Sequence, residues 1–541
     1  MIDGVVPYPP EFAAHYRARG YWRDRPLRDE FAELFRVHAD RVAVIDGDER
    51  ITYRQLDERS TRLACNLADL GLGKGDRVVV QLPNTAGFCY LYFALQKLGA
   101  IPVLALPSHR YREIAHFVSV TDARACAVPE RHKDFSYVDM VRRIAVDQRG
   151  PFLGLVPGPD APDGFFALTD LLAREPSFPA EALASVRIDP EDPAVFLLSG
   201  GTTGVPKLIP RSHNDYAFNS RTAASVCDIG PDDVLLLVLP IEHNLPLACP
   251  GLQGFMFTGA TTVLSTSSAP GRVFELVERH RVTHIHLVPA LLIRWLADPG
   301  VDRHDLSSLR VLQSGGQRLQ PETRDRAAKL IPNALVQENF GMAEGLLMFV
   351  RLDDPDEVRR ETCGRPICQD DELRLVDDDG HDVPDGEVGE LCVRGPYTLR
   401  GYFRAPEHNA RAFTPDGFYR SGDLMVRHSS GNYVVAGRKK DLINRGGEKI
   451  SAEEVENLIL AHPDVVNVAC VPVPDDVLGE RMCACLVTRS GATLDLPALV
   501  EFLETFEIAK HKLPERLEVF AELPLSPIGK VSKKDLVRRM S

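Results

Sequence analysis

A chain of 541 residues has room for three or four compact units at roughly 100 to 200 residues each. With 44% hydrophobic and 26% charged residues it has the profile of a folded chain, which excludes wholesale disorder. Sixty-three basic against 77 acidic residues leave a net charge of −14, which repels a polyphosphate backbone and argues against nucleic acid as a partner. From about Leu27 to Ala290 short apolar runs alternate with helical periodicity. Gly73 to Gly75 reads as a turn, Arg77 to Leu82 as a buried strand, Gly87 to Leu98 as a helix and Ile101 to Ala105 as a strand. The stretch Pro151 to Gly164, rich in proline and glycine, is expected to be a surface loop. Strands follow at Asp233 to Pro240, Thr261 to Ser265 and His284 to Val288, with a helix from Arg272 to His280. This alternation predicts stacked βα units around largely parallel sheets.

Near Asp377 to Gly389 the spacing shortens to hairpin turns, which predicts a small antiparallel subdomain. A second unit begins after Gly437. It is read as a helix from Ala452 to His462, strands near Val465 to Val471 and Arg481 to Val487, a helix from Leu496 to Phe506 and a strand at Arg516 to Phe520. About 100 residues of mixed α+β hold a small core. The fold class is therefore α/β, with a large unit over residues 1–439 and a small α+β unit over residues 440–541.

Eleven cysteines, an odd number with no C-x-x-C pair, fit a reducing cytoplasm better than a disulfide framework. Cys483 and Cys485 fall on one face of a strand, a poor start for a structural zinc site. No basic stretch followed by an apolar run opens the chain, and no segment approaches the roughly 20 apolar residues of a membrane span. We expect a cytoplasmic protein without a membrane partner, as a monomer or homodimer.

The strongest local signal is Ser199, Gly200, Gly201, Thr202, Thr203, Gly204, Val205, Pro206 and Lys207, directly after the apolar run Ala194 to Leu198. Glycines let the backbone approach a ligand, threonine hydroxyls and main-chain N–H groups donate to phosphate oxygens, and Lys207 adds positive charge. The segment reads as a phosphate cradle, with a flexible turn as the bland alternative. It is not a Walker loop, because the lysine follows proline and no Ser or Thr follows it.

This loop is one of five ordered motifs. Together with Phe340-Gly-Met-Ala-Glu344, Ser421-Gly-Asp423, Gly437-Arg-Lys-Lys-Asp441 and Gly529-Lys530 it resembles the acyl-adenylate-forming superfamily of acyl-CoA ligases, luciferases and nonribosomal peptide adenylation domains. Ala105 to Arg110, His243-Asn244, Asn444 to Lys449 and Val531 to Lys534 look like the stand-alone 2,3-dihydroxybenzoate and salicylate AMP ligases. The resemblance runs from Pro7 to Leu536. It implies a large N-terminal adenylate-forming domain and a mobile C-terminal domain that carries a catalytic lysine.

The resemblance also implies roles. A carboxylate is a poor electrophile, and its charge repels the triphosphate it must attack, so neutralising charge is the main catalytic task. Lys530 would bridge the substrate carboxylate and the α-phosphate of ATP, His243 would sit at the carboxylate entrance, and Glu344 would hold Mg²⁺. Asp423 would accept the ribose hydroxyls with Arg438 assisting. Gly315 and Gly316 would let adenine lie against the backbone with Phe340 on its face. Gln317, Asn339, Gly341, Met342, Ala343, Val435 and Lys449 match further nucleotide-contacting positions. Lys440 matches a hinge, and Arg445, Gly446 and Gly447 a loop at the entrance of a pantetheine tunnel.

For the acid, the resemblance implies a pocket of His243, Asn244, Leu245, Cys249, Gly316, Gln317, Asn339, Gly345 and Leu347. Relatives that activate amino acids carry aspartate at the position of Asn244. A neutral amide there leaves a substrate ammonium unpaired, at a cost of several kcal/mol, so an aromatic acid with an ortho hydroxyl or amino group is expected. Cys249 stands where dihydroxybenzoate ligases carry serine, and a thiol is a weak donor, which favours salicylate. Leu245 for an aromatic, Gln317 for a small residue and Asn339 for an aliphatic keep amino-substituted or heteroaromatic acids open, such as 3-hydroxyanthranilate or 3-hydroxypicolinate. Ser421 for threonine is a minor change. The acceptor is expected to be a separate aryl carrier protein, since only eleven residues follow Lys530, with coenzyme A as the alternative. A catalytically dead nucleotide binder is disfavoured by Lys530, Glu344, Asp423 and Lys207 together.

Overall fold

The computed structural model describes residues 2–132, 134–148, 150–199, 206–316, 319, 321–445, 448–475, 477–489, 492–506, 508–526 and 529–540. Two large sheets form the body of the N-terminal unit. One has nine strands; its central run, 261–264, 234–237, 284–287, 311–315 and 335–342, is parallel, and its edges are antiparallel. The other has seven strands in the order 208–212, 193–198, 101–104, 77–80, 125–127, 153–156 and 165–167, parallel except where 193–198 meets 208–212. Helices Tyr53–Asp69, Ala86–Leu98 and His213–Val226 contribute to one apolar core with residues from both sheets. Their ends are fixed locally. Thr52 accepts from Gln55 N at 3.1 Å while Gln55 returns a bond to Thr52 N at 2.9 Å, which satisfies two donors that the first turn of a helix leaves free.

The stretch expected to be a loop, Pro151 to Gly164, contains the strand Leu153–Val156, paired on both sides. Gly154 is the reason the reading fails there: a Cβ at this position would lie 2.4 Å from the Phe165 ring. The glycine serves close packing between neighbouring strands and not a turn.

Residues 372–438 form a four-stranded antiparallel sheet, as the hairpin spacing predicts. It leads into a short turn, Lys439–Asp441, and then a five-stranded sheet with strands 448–451, 442–445, 479–488, 465–475 and 516–519. Helices Ala452–Leu460 and Leu496–Glu504 pack there on a separate core that includes Val455, Ile459, Leu499 and Leu503. Cys483 and Cys485 are buried as free thiols in a second cluster with Ala469, Val471 and Leu536. No helix among the described residues is long and apolar enough to cross a membrane.

Candidate active site

A cleft of about 1530 Å³ lies where the C-terminal unit meets the ends of the large sheets, and its wall carries Ser199, Lys207, His243, Gly316, Glu344, Asp423, Arg438, Lys440 and Lys530. Strand pairing brings most of them together. Leu198 pairs with Leu208, so Ser199 and Lys207 stand at the two ends of one hairpin loop, where Ser199 N donates to Lys207 O at 2.9 Å and Lys207 N to Ser199 Oγ at 3.0 Å. Gly200, Gly201, Thr202, Thr203 and Gly204 lie outside the described residues. Asp423 and Arg438 face each other in an antiparallel register, with Arg438 Nε 2.7 Å from Asp423 Oδ1. Burial pushes the Asp423 carboxyl up from its ordinary pKa and Arg438 pulls it back.

Phe340 to Ala343 reach the cleft from the strand Leu335–Met342 and the turn that follows. Glu344 is buried, and its Oε1 accepts from the Tyr402 hydroxyl at 2.8 Å, which in turn lies 2.9 Å from the Tyr419 hydroxyl. Its own carbonyl accepts Leu399 N at 2.7 Å. Burial raises the Glu344 pKa, with the Tyr402 bond and Arg438 acting against it. Behind this segment Arg211, fully buried, donates to Asp215 Oδ1 at 2.8 Å and to the Ala343 carbonyl at 3.0 Å. Asp215 also caps the helix His213–Val226 by accepting Ser212 N at 2.7 Å. Sequence reasoning misses Tyr402, Tyr419, Arg211 and Asp215, because each is a single residue whose neighbours are set by the tertiary fold.

Lys530 enters from the C-terminal unit. A Cβ built on Gly316 would lie 2.4 Å from Lys530 Cε, and Gly316 has φ +86°. The position assigned to adenine contact thus also receives the lysine. Burial first, then the nearby Arg438, lowers the Lys530 pKa to about 8, while Asp423 opposes the shift. His243 is held neutral, with its pKa lowered to about 4 by burial and then by Lys530. Lys440, on the same wall, is also lowered, mainly by burial.

The acid-pocket residues divide. His243, Gly316 and Asn339 are on the cleft wall, whereas Asn244, Leu245, Cys249, Gly345 and Leu347 are packed beside it. Asn244 Oδ1 accepts from the Tyr216 hydroxyl at 3.0 Å. Cys249 is 1% exposed, its Sγ 3.6 Å from Asn219 Nδ2, and burial lifts its pKa to about 11. Gly345 leaves no space for a side chain, since a Cβ would lie 2.5 Å from Thr398 Cα. Asn339 Nδ2 donates to the Ser314 carbonyl at 3.1 Å, and its Oδ1 covers Gly315 so closely that a Cβ there would lie 2.2 Å away. The amide that raised the prospect of a polar ring substituent therefore has a donor bond of its own.

Gln317, Gly446 and Gly447 lie outside the described residues, and Lys449 is placed by its backbone alone, opposite Asn444. Arg445 is away from the cleft, bonded to Glu515 Oε1 at 2.8 Å within the C-terminal sheet. Valine 435 lines the cleft beside Arg438.

A family model described as AMP-binding enzyme matches residues 31–403, and a second, AMP-binding enzyme C-terminal domain, matches residues 454–530. The chain is similar to a Streptomyces protein named salicylyl-CoA synthase / salicylate adenylyltransferase, at 49% identity over 99% of this chain and 97% of that one. It is similar to a Mycobacterium tuberculosis protein named salicyl-AMP ligase / salicyl-S-ArCP synthetase, at 45% identity over 100% and 95%. Among solved structures, the apo structure of Mycobacterium smegmatis MbtA is 44% identical, covers 99% of each chain and gives a TM-score of 0.75.

Proposed function

The chain belongs to the AMP-binding enzyme family, and from that premise we propose that it is an ATP-dependent aryl-acid AMP ligase acting on salicylate or a close hydroxybenzoate. In the first half-reaction a carboxylate oxygen bonds to the α-phosphorus of ATP, the bond from that phosphorus to the bridging oxygen breaks, and pyrophosphate leaves. In the second, a phosphopantetheine thiol gives up its proton, bonds to the acyl carbon and displaces AMP. The names of the two relatives, one with CoA and one with S-ArCP, support a thioester as product. We take a carrier protein, as in siderophore or other nonribosomal peptide biosynthesis, as the acceptor.

One observation carries the reading: Lys530, from the C-terminal unit, lies against Gly316 in the same cleft as Asp423, Arg438 and Glu344. In this arrangement its ammonium is placed to neutralise charge shared between carboxylate and α-phosphate as the new bond forms. Asp423 and Arg438 orient a ribose diol. His243, kept neutral at pH 7, borders the acid without adding charge. A buried carboxylate on the cleft wall, raised in pKa by burial and oriented by a tyrosine hydroxyl, fits a hard divalent cation. Glu344 would hold Mg²⁺, which when bound neutralises triphosphate charge.

Salicylate is favoured over 2,3-dihydroxybenzoate because Cys249 offers a weak partner to a 3-hydroxyl and is already next to Asn219. Simple hydroxybenzoates are favoured over amino or heteroaromatic acids because Asn339 donates to Ser314 within the protein. The test is acid-dependent exchange of labelled pyrophosphate into ATP across a panel of aryl acids. Salicylate should lead the panel. An amino-hydroxybenzoate or hydroxypicolinate ahead by about tenfold, equivalent to about 1.4 kcal/mol, would overturn the choice of acid, and no exchange with any aryl acid would overturn the reading.

A further inference from the structure

The hairpin that carries Lys530 is shaped by short local bonds. Leu525 bridges to Val531, Ser526 N donates to Lys530 O at 2.5 Å and Gly529 N to Ser526 O at 2.9 Å. Lys530 N donates to Ser526 Oγ at 3.1 Å. These bonds tie Ser526 to Gly529 and Lys530 on the other side of the turn. Leu523 and Val531 seat its base on the apolar cluster around Val471 and Cys485, a non-directional contact that leaves the tilt of Lys530 to be set by polar bonds.

Three residues further on, Lys533 begins the helix Lys533–Met540. Its Nζ lies 2.7 Å from Glu456 Oε1 on the helix Ala452–Leu460. The same oxygen accepts Cys470 N at 2.6 Å from the strand Val465–Asp475. Three elements of the C-terminal unit therefore converge on one carboxylate. The two side chains are 25% and 14% exposed and stand on the wall of the cleft. A lysine in the first helical turn sits at the unfavourable, positive end of the helix dipole, so its placement there calls for a specific partner, which Glu456 supplies. Asp441, in the turn that joins the two units, is near enough for its charge to raise the pKa of both groups.

Resting on the adenylation reading above, we propose that Lys533 and Glu456 are positioning residues whose ion pair fixes the Lys530 hairpin to the C-terminal unit. Lys530 then enters and leaves the cleft with that unit as a rigid body. Both partners belong to the same unit, so the pair survives a swing about Lys439–Asp441. Its function is confined to the step in which Lys530 acts. The rival role for a lysine on the cleft wall is direct contact with ATP phosphates, which predicts a different kinetic signature.

The test uses the full chain and separates the half-reactions: pyrophosphate exchange with salicylate for the first, and transfer from supplied salicyl-AMP to pantetheine for the second. Glu456→Gln keeps an oxygen for Cys470 N while removing the charge. It should lower kcat for exchange about tenfold, since small misplacements of a reacting group carry large rate costs. The KM values for ATP and acid, and the rate of transfer, should stay within about twofold. Lys533→Met should behave likewise, and Lys533→Arg, which keeps charge and reach, should retain most of the exchange activity. Equal loss of both half-reactions would mark the pair as merely structural. A raised KM for ATP with unchanged kcat would assign Lys533 to the phosphates, and wild-type exchange in Glu456→Gln would also refute the proposal. Lys530→Ala run in parallel tells the failures apart. If it loses exchange while Glu456→Gln keeps it, the positioning role alone falls; if the wild-type chain shows no exchange with any aryl acid, both readings fall.

Discussion

At Gly316 two constraints act on one residue. Its φ of +86° lies in the left-handed region, and the space a side chain would fill is taken by Lys530. Gly316→Ala should therefore cost about 1–2 kcal/mol in backbone strain and, separately, hold the lysine out of the cleft. We expect a small fall in thermal stability and exchange activity reduced by more than about tenfold. Exchange at the wild-type rate would show that Lys530 reaches its working position by another path. The same lysine sets a pH dependence. Its pKa, lowered to about 8, leaves the ammonium charged at neutral pH and discharged above it. Because kcat/KM reports groups of the free enzyme, kcat/KM for adenylation should fall as pH rises through about 8. In Lys530→Ala the residual rate should lack that limb. A profile flat to pH 10 would contradict the burial of Lys530 beside Arg438.

Asp423 and Arg438 are legible from sequence because each lies in a motif; their pairing is set by the hairpin of strands Tyr419–Arg427 and Tyr433–Arg438. Arg211 and Asp215 are not. A buried ion pair is recognised by what surrounds it, and their position behind Ala343 is decided by strands more than 100 residues apart in sequence. The strand Leu153–Val156 is missed for a related reason: Gly154 and the prolines around it read as breakers until Phe165 is known to occupy the space. The turn Lys439–Asp441 is the element whose role is most open to test. Across it, the Ser451 hydroxyl donates to the Ala436 carbonyl at 2.7 Å, a contact that a rotation of the C-terminal unit would break. Lys440→Pro fixes φ near about −65° and should slow thiol transfer several-fold while exchange persists. Unchanged transfer would remove Lys440 as the pivot.

The cleft exists only where the two units meet: Asp423, Arg438 and Glu344 come from one, Lys530 from the other. Order along the chain made this division visible, since Lys530 follows the last predicted strand by ten residues. The depth of the acid pocket was not visible, because whether Asn244 and Cys249 face a cavity or their neighbours depends on Tyr216 and Asn219, which no motif singles out. The central claim is that one cleft serves two half-reactions and that Lys530 serves only the first. Its most direct measurement is the pair of half-reaction rates in Lys530→Ala. Loss of one preorganised donor should lower exchange by on the order of 10² to 10³ while transfer from supplied salicyl-AMP to a thiol acceptor stays near the wild-type rate; an equal loss of both rates would contradict the account.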